Sequence, residues 1–260
     1  MEVVIVPGPA EAGALVGDAV ADLLAARPAA VLGLATGSSP LALYEDLARR
    51  HAAGQLSFAA ARAFLLDEYL DLPAGDARGY RRFIADNLER HVDFAPGAVR
   101  APDVGTDDVV AACARYEDAI AAAGGVDLQL LGIGIDGHIG FNEPGSSLAS
   151  RTRIKTLTDQ TRRDNARFFA SLDEVPRHVV TQGVGTILDA RHVVLLAFGG
   201  AKADAVSRAV EGPVTAMVPG SALQLHPHAT VVIDEPAAAG LTLAGYYRET
   251  WEHKPRWQGL

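Results

Sequence analysis

A single cysteine, Cys113, stands in 260 residues. One thiol can close neither an internal disulfide nor a CxxC metal site, which fits a reducing compartment. Its setting, VVAACARYEDAI, reads as a buried thiol on a helix. Lysine is scarce too, with three against 20 arginines. No apolar stretch approaches the ~20 residues that span a bilayer. The opening MEVVIVPGPAEAG has no basic region before its short apolar run, so no signal peptide is expected. Excess positive charge is also missing. The formal net charge of −9 argues against non-specific nucleic-acid binding, though a basic pocket for a small anion can still sit in an acidic surface. The expectation is a cytoplasmic protein with neither membrane nor nucleic acid as partner. No repeat, low-complexity tract or long linker marks a boundary, and residues 1–260 read as one domain.

Hydrophobic residues make up 49% and charged residues 21%, enough apolar material for a sizeable core. Six short runs read as strands: 2–7, 30–35, 61–66, 126–134, 192–199 and 229–235. They are Val/Leu/Ile-rich and apolar on both faces, as strands covered on both sides must be. Segments of helical period lie between them, at 10–26, 40–53, 79–90, 107–123, 161–171 and 201–210. This alternation predicts an open, mostly parallel α/β sheet with helices on both faces. Such sheets bind ligands beyond the carboxyl ends of their strands, so the residues just past each strand carry the functional information.

After AVLGLA comes Thr36-Gly37-Ser38-Ser39-Pro40. Pro40 suits a first helical position and Ser39 an N-cap. Gly37 allows close backbone approach to an anion, although the GK[ST] ending of a Walker loop is absent. An ordinary βα turn and an anion site both remain open. Past ARAFLL stand Asp67, Glu68 and Tyr69. A surface acidic turn is the bland reading, whereas at the crevice Asp67 is placed to act as a general base. HVVLLAFG leads into Gly199-Gly200-Ala201-Lys202, where Lys202 is either solvated or a cation facing a phosphate. Arg167, in TRRDNARFF, offers a fork that suits a phosphate. Arg162 and Arg163 are assigned to a solvated helix face.

Residues 132–137, GIGIDG, match G-x-G-x-x-G. A dinucleotide site needs a helix directly after the glycines and an acidic residue ~20 positions on. The chain continues HIGFNEPGSSLASRTR, which breaks a helix and places Arg151, Arg153 and Lys155 where the acid belongs. The nicotinamide-cofactor reading fails. What remains is a turn carrying Asp136, His138 and Glu143, a carboxylate–imidazole–carboxylate set able to orient a ring and move a proton. A metal site is disfavoured because no second histidine stands at ligand spacing, and no cofactor is expected.

The stretch GIGIDGHIGFNEPGSSLASRTRIKTLT resembles the signature of the glucosamine-6-phosphate deaminase family. LATGSSP, the DEYL of LLDEYL, TRxxNxRFF, VPRHVVTQGVGTILDA, GGAK and LQLHP are similar as well, in that family's order. The resemblance covers most of the chain. It implies a Rossmann-like fold and conversion of glucosamine 6-phosphate and water into fructose 6-phosphate and ammonia. On the matching positions, Asp67 is the base that moves the proton between C2 and C1. His138 opens the pyranose ring, with Asp136 and Glu143 as partners. Thr36, Gly37, Ser38, Ser39, Arg167 and Lys202 hold the 6-phosphate.

The resemblance further implies a hexamer activated by N-acetylglucosamine 6-phosphate at a subunit interface. The matching positions are Ser146, Ser147, Arg153, Lys155, Thr156 and a C-terminal tyrosine, Tyr247 or its neighbour Tyr246. Departures from the family pattern are Asp71, Gly79, Ile135 and the ending WEHKPRWQGL. The nearest rival family is 6-phosphogluconolactonase, which has a similar G-x-G-x-D-G-H loop but no counterpart of Glu143 and a DER in place of DEYL. A non-catalytic sugar-phosphate sensor is the other alternative. Such a protein would carry a DNA-binding segment and have no use for Asp67, Asp136, His138 and Glu143 together.

Overall fold

The computed structural model describes residues 1–260 apart from Ala74, Arg167, Phe168 and the side chain of Arg256. In chain order the strands are β1 (Glu2–Val6), β2 (Val31–Leu34), β3 (Arg62–Leu65), β4 (Asp67–Tyr69), β5 (Val99–Arg100), β6 (Leu128–Leu131), β7 (Arg153–Thr156), β8 (His178–Thr181), β9 (His192–Ala197) and β10 (Ala229–Asp234). The α-helices are α1 (Pro9–Ala26), α2 (Leu41–Ala52), α3 (Tyr80–Asn87), α4 (Val109–Ala122), α5 (Asp159–Asn165), α6 (Val184–Leu188), α7 (Ala203–Val210), α8 (Glu235–Ala238) and α9 (Ala244–Glu252).

Seven strands form one sheet in the order β1-β10-β9-β6-β2-β3-β5, and every pairing in it is parallel. The α-helices pack around it, and the six apolar runs of the sequence all fall in this sheet. Its interior strands β2, β6, β9 and β10 are buried at every position, because helices cover the sheet on both faces. The chain runs outward from β2 through β3 to β5. It then returns to β6, beside β2, and runs the other way through β9 and β10. The turns leaving β2 and β6 therefore diverge, and a crevice opens between them at the carboxyl ends.

A second, three-stranded sheet, β4-β8-β7, is antiparallel, and the sequence signals did not reveal it. Its strands are short or polar: DEY, HVVT and RIKT. Their pairing is fixed by contacts between segments far apart in the chain. The sheet is joined to the base of the crevice where Gln182 N–H donates to Leu66 O at 2.7 Å.

Two helix starts differ from expectation. Pro40, not Ser39, takes the cap position before α2, with no side-chain cap bond. The helix expected over 161–171 is α5, which starts earlier because Thr158 caps it by accepting the Thr161 N–H, and which ends at Asn165. Arg162 departs further. Rather than facing solvent it is 3% exposed, and its guanidinium donates to Leu172 O at 2.7 Å and to Val175 O. Those carbonyls anchor the turn after α5, so this arginine is a fastener. Arg163 is exposed, as expected.

Candidate active site

A cavity of about 560 Å³ lies at the divergence of the β2 and β6 turns. All four strand ends singled out in the sequence reach it. Thr36, Gly37, Ser38 and Ser39 line it from β2, Asp67 from β4, Gly132–Ile135 and His138 from β6, and Ala201 with Lys202 from the turn after β9.

The β2 turn is shaped for an anion. Gly37 has φ +89° with open space beyond its Cα, a conformation that costs a side-chain-bearing residue. Among the described residues, the backbone N–H groups of Gly37, Ser38 and Ser39 donate to no protein acceptor. Such a run of free amides binds anions. Lys202 stands at the amino end of α7, where its Nζ donates to Ile133 O at 2.7 Å. The ammonium is thereby held over the β6 turn, on the side that the β2 amides also border. Arg167, the remaining candidate phosphate ligand, lies outside the described residues.

The base candidate comes from β4. Asp67 is 5% exposed, and no hydrogen bond to its carboxylate occurs among the described residues. Burial, reinforced by the neighbouring Glu68 charge, pushes its pKa well above the ordinary carboxylate range. Glu68 turns the other way. Its carboxylate accepts the N–H groups of Tyr69, Tyr80 and Arg81 at 2.7–2.9 Å, and so caps α3, beginning one residue after Gly79. Two adjacent acids thus divide into one that holds structure and one that faces the cavity.

The glycines of GIGIDGHIG serve the histidine and no dinucleotide. A Cβ on Gly134 would overlap the His138 ring, so the missing side chain is the space that the imidazole fills. Gly137 and Gly140 have φ +91° and +54° and reverse the chain so that His138 faces back onto Gly134. The turn is closed by Gly134 N–H donating to His138 O at 2.9 Å. His138 Nδ1 lies 2.7 Å from Asp136 Oδ1, and Asp136 also accepts the His138 N–H at 3.1 Å. Burial pushes the Asp136 carboxyl up, but the imidazole and backbone bonds outweigh it and hold the group below its ordinary value. The contact lacks hydrogen-bond alignment, yet a carboxylate so close to Nδ1 favours the proton there and leaves Nε2 as the nitrogen that exchanges one.

Glu143 is placed differently from the expected partner of His138. It is buried, and it accepts from Thr158 N–H and Oγ1, each at 3.0 Å, and from Thr161 Oγ1. Among the described residues no ion pair joins it to His138. Its direct role is to fix the start of α5, whose Thr161, Asp164 and Asn165 line the cavity.

An aromatic wall went unnoticed in the sequence. Tyr69 and Tyr80 stack at 4.8 Å, Tyr80 lies 5.9 Å from Phe141, and Phe141 lies 6.3 Å from His138. The phenol of Tyr80 donates to that of Tyr69 at 3.0 Å. The only sequence signal was adjacency to DEYL and to the glycine loop. Of the departures from the family pattern, Ile135 is 42% exposed at the cavity. Gly79 lines the cavity beside the Glu68 cap, and Asp71 faces His178 at 3.4 Å.

The expected effector residues do not form one cluster within the chain. Ser146 is 3% exposed, and its hydroxyl has no partner among the described residues. Ser147 is exposed, and its hydroxyl accepts the Ala149 N–H. Arg153 and Lys155 share the partly covered face of β7, while Thr156 lies on the exposed face. Burial pulls the Arg153 guanidinium below its ordinary value. Tyr247 belongs to α9, which packs on β1 at the far edge of the large sheet.

Among the described residues, no helix is long and apolar enough to cross a membrane.

Known proteins share this fold. A glucosamine-6-phosphate deaminase from Arthrobacter sp. (strain FB24) is 61% identical over 260 residues, covering 100% of both chains. One from Mycolicibacterium smegmatis is 60% identical over 261 residues, again covering 100% of both. Among solved structures, a monomeric glucosamine-6-phosphate deaminase overlays with a TM-score of 0.90 at 42% identity, over 92% of this chain and 100% of that one. A 6-phosphogluconolactonase from Trypanosoma cruzi overlays with a TM-score of 0.75 over 93% and 97% of the two chains. At 24% identity that likeness extends to the fold alone. The model of the family described as glucosamine-6-phosphate isomerases/6-phosphogluconolactonase matches residues 9–233, and this chain belongs to that family.

Proposed function

We propose that this chain is an enzyme that converts glucosamine 6-phosphate and water into fructose 6-phosphate and ammonia. The observation that carries the reading is the shared cavity, which takes a desolvated carboxylate, an imidazole beside a carboxylate, an anion-binding turn and a lysine from four different strand ends. Full-length identity to glucosamine-6-phosphate deaminases supports the substrate assignment.

The residues divide the chemistry as follows. The β2 amides and Lys202, joined by Arg167, bind the 6-phosphate and fix C1 and C2 of the sugar at a set distance from it. His138 takes the anomeric hydroxyl proton and returns a proton to the ring oxygen, which opens the pyranose. Asp67 then removes the C2 proton from the open-chain aldehyde and delivers it to C1. With one amine proton lost and one gained at O1, the product is the C2 imine of fructose 6-phosphate. Water adds there, and the carbinolamine expels ammonia with no electron acceptor required. Burial of Asp67 favours both halves of the transfer, because a raised pKa makes the group a stronger base and still permits it to give the proton back.

Ammonia release from glucosamine 6-phosphate tests the reading directly. Hydrolysis of 6-phosphogluconolactone without ammonia release would instead select the lactonase alternative. Lys202→Met should raise KM about 10- to 100-fold, the effect of losing a charge-assisted bond, and leave kcat within a few-fold. A kcat collapse at unchanged KM would remove Lys202 from phosphate binding.

The proposal extends to a cytoplasmic role in amino-sugar catabolism and to a hexamer activated by N-acetylglucosamine 6-phosphate. In support, Ser146, just before the segment that ends in Arg153, Lys155 and Thr156, carries a buried hydroxyl with no partner among the described residues. Tyr247 stands on α9 against β1 of the large sheet, whereas Arg153, Lys155 and Thr156 stand on β7 of the small one, so the proposed site takes its tyrosine from a second copy. The expected native mass is six times 27.2 kDa, with activity at low substrate rising when the acetylated sugar is added. A native mass of one chain, with no stimulation, would retire both.

A further inference from the structure

The base and the ring-opening histidine reach the cavity from different sheets. Asp67 rides on β4 of the small sheet, whereas His138 sits in the turn after β6 of the large one. Something must fix the distance between them, since both act on neighbouring atoms of one substrate. Thr181 sits at that junction. It ends β8, is 0% exposed and is the register partner of Asp67 in the β4–β8 pairing. Its Oγ1 accepts the N–H of Phe141, three residues beyond His138, at 3.1 Å, and donates to Gln182 O at 3.3 Å. A Cβ on Gly140 would stand 3.0 Å from that same Oγ1 and 3.7 Å from Asp67 Oδ2. The hydroxyl therefore lies against the histidine loop on the very strand that pairs with the base.

The neighbouring residues brace the same seam. Asn142, 0% exposed, donates through Nδ2 to Ile139 O at 2.9 Å and to Gln182 O at 2.8 Å. Gln182 in turn donates to Leu65 O at 2.9 Å through its side chain and to Leu66 O at 2.7 Å through its backbone. The histidine loop is thus tied through β8 to the residues immediately before Asp67.

We infer that Thr181 is a positioning residue for the reaction, its hydroxyl setting the spacing between the Asp67 carboxylate and the His138 loop. The inference rests on the deaminase reading for its catalytic consequence, while the link itself is structural. A displacement of about 1 Å between groups that act in sequence costs up to ~10²-fold in rate. A threonine at the end of a strand reads in the sequence as a common β-former, so nothing there sets it apart.

The test compares Thr181→Val, which keeps the shape and removes the hydroxyl, with Thr181→Ser, which keeps the hydroxyl. Turnover of glucosamine 6-phosphate is measured per folded molecule, across pH. Expected for the valine variant is a kcat lower by about 10- to 100-fold with KM within about two-fold, because the phosphate site is untouched. Its acid limb should also move toward the ordinary carboxylate range as water reaches Asp67. The serine variant should recover kcat to within about three-fold of wild type and restore the limb. Equal impairment of the two variants, or wild-type kcat and pH profile in the valine variant, would overturn the inference.

Amide hydrogen exchange at Phe141 supplies a second readout that needs no turnover. It should quicken in the valine variant and stay protected in the serine variant. Unchanged protection in the valine variant would overturn the link even if kcat fell. If the wild-type chain released no ammonia, the functional proposal would fail, and exchange at Phe141 would still decide the link.

Discussion

Asp67→Asn should reduce ammonia release from glucosamine 6-phosphate by about 10²- to 10⁴-fold, the range over which a positioned general base contributes. Phosphate affinity should stay nearly unchanged, since the amide keeps the carboxylate's shape and the β2 turn is separate. The same substitution should make the protein more stable at neutral pH. The Asp67 carboxyl is held well above its ordinary range by burial and by Glu68, so the folded state binds its proton more tightly than the unfolded state does. Stability from this group is full below about pH 4 and is lost as pH rises through the raised folded value. An asparagine stays neutral throughout. Its advantage in melting temperature should therefore be present at pH 7 and vanish in acid. The wild-type acid limb of kcat should lie above the usual carboxylate range, because only ionised Asp67 takes the C2 proton. Near-normal turnover in the variant, or a melting temperature below wild type at pH 7, would remove Asp67 from the role of desolvated base.

Gly134→Ala should lower kcat/KM by about 10²-fold or more, although the change adds only one methyl group. The added Cβ occupies the volume of the His138 ring, so the imidazole must rotate away. In doing so it leaves Asp136, whose carboxylate lies 2.7 Å from Nδ1 and favours the proton there. Ring opening loses its proton carrier, while the phosphate turn and Asp67 stay in place. The expected signature is a large loss in turnover, with the affinity for a non-reacting hexitol 6-phosphate changed by less than about three-fold because its phosphate contacts persist. A variant that turns over normally would show that the ring does not work from its position above Gly134. A variant that loses phosphate affinity as well would place the damage in the β6 turn as a whole.

The G-x-G-x-x-G pattern of residues 132–137 shows how a local pattern constrains function by exclusion. Read in sequence, the glycines fit a dinucleotide turn until the next residues deny the helix that such a turn needs. In the structure, Gly134 and Gly137 make room for an imidazole and reverse the chain. Identical glycine spacing serves two different close approaches, and only the ring that fills the gap distinguishes them.

The amino-acid sequence by itself determined six of the seven strands of the large sheet, all but the two-residue β5, and the four strand ends that meet at the cavity. Its strands are apolar on both faces because helices bury both, and this pattern is local. Thr36–Ser39, Asp67, His138 and Lys202 were legible for the same reason, each following directly on such a strand. Tertiary structure alone decided the small sheet, whose strands DEY, HVVT and RIKT are too short or too polar to declare themselves, and whose β4 pairs with β8 from Asp67 across to Thr181. It decided that Arg162 is buried against the Leu172 and Val175 carbonyls, and that Glu143 grips the start of α5 and not the histidine. It also decided that Thr181 lies between Asp67 and the His138 loop. Hydrogen bonds between distant segments carry no periodicity along the chain, so their partners are settled only when the sheets are assembled.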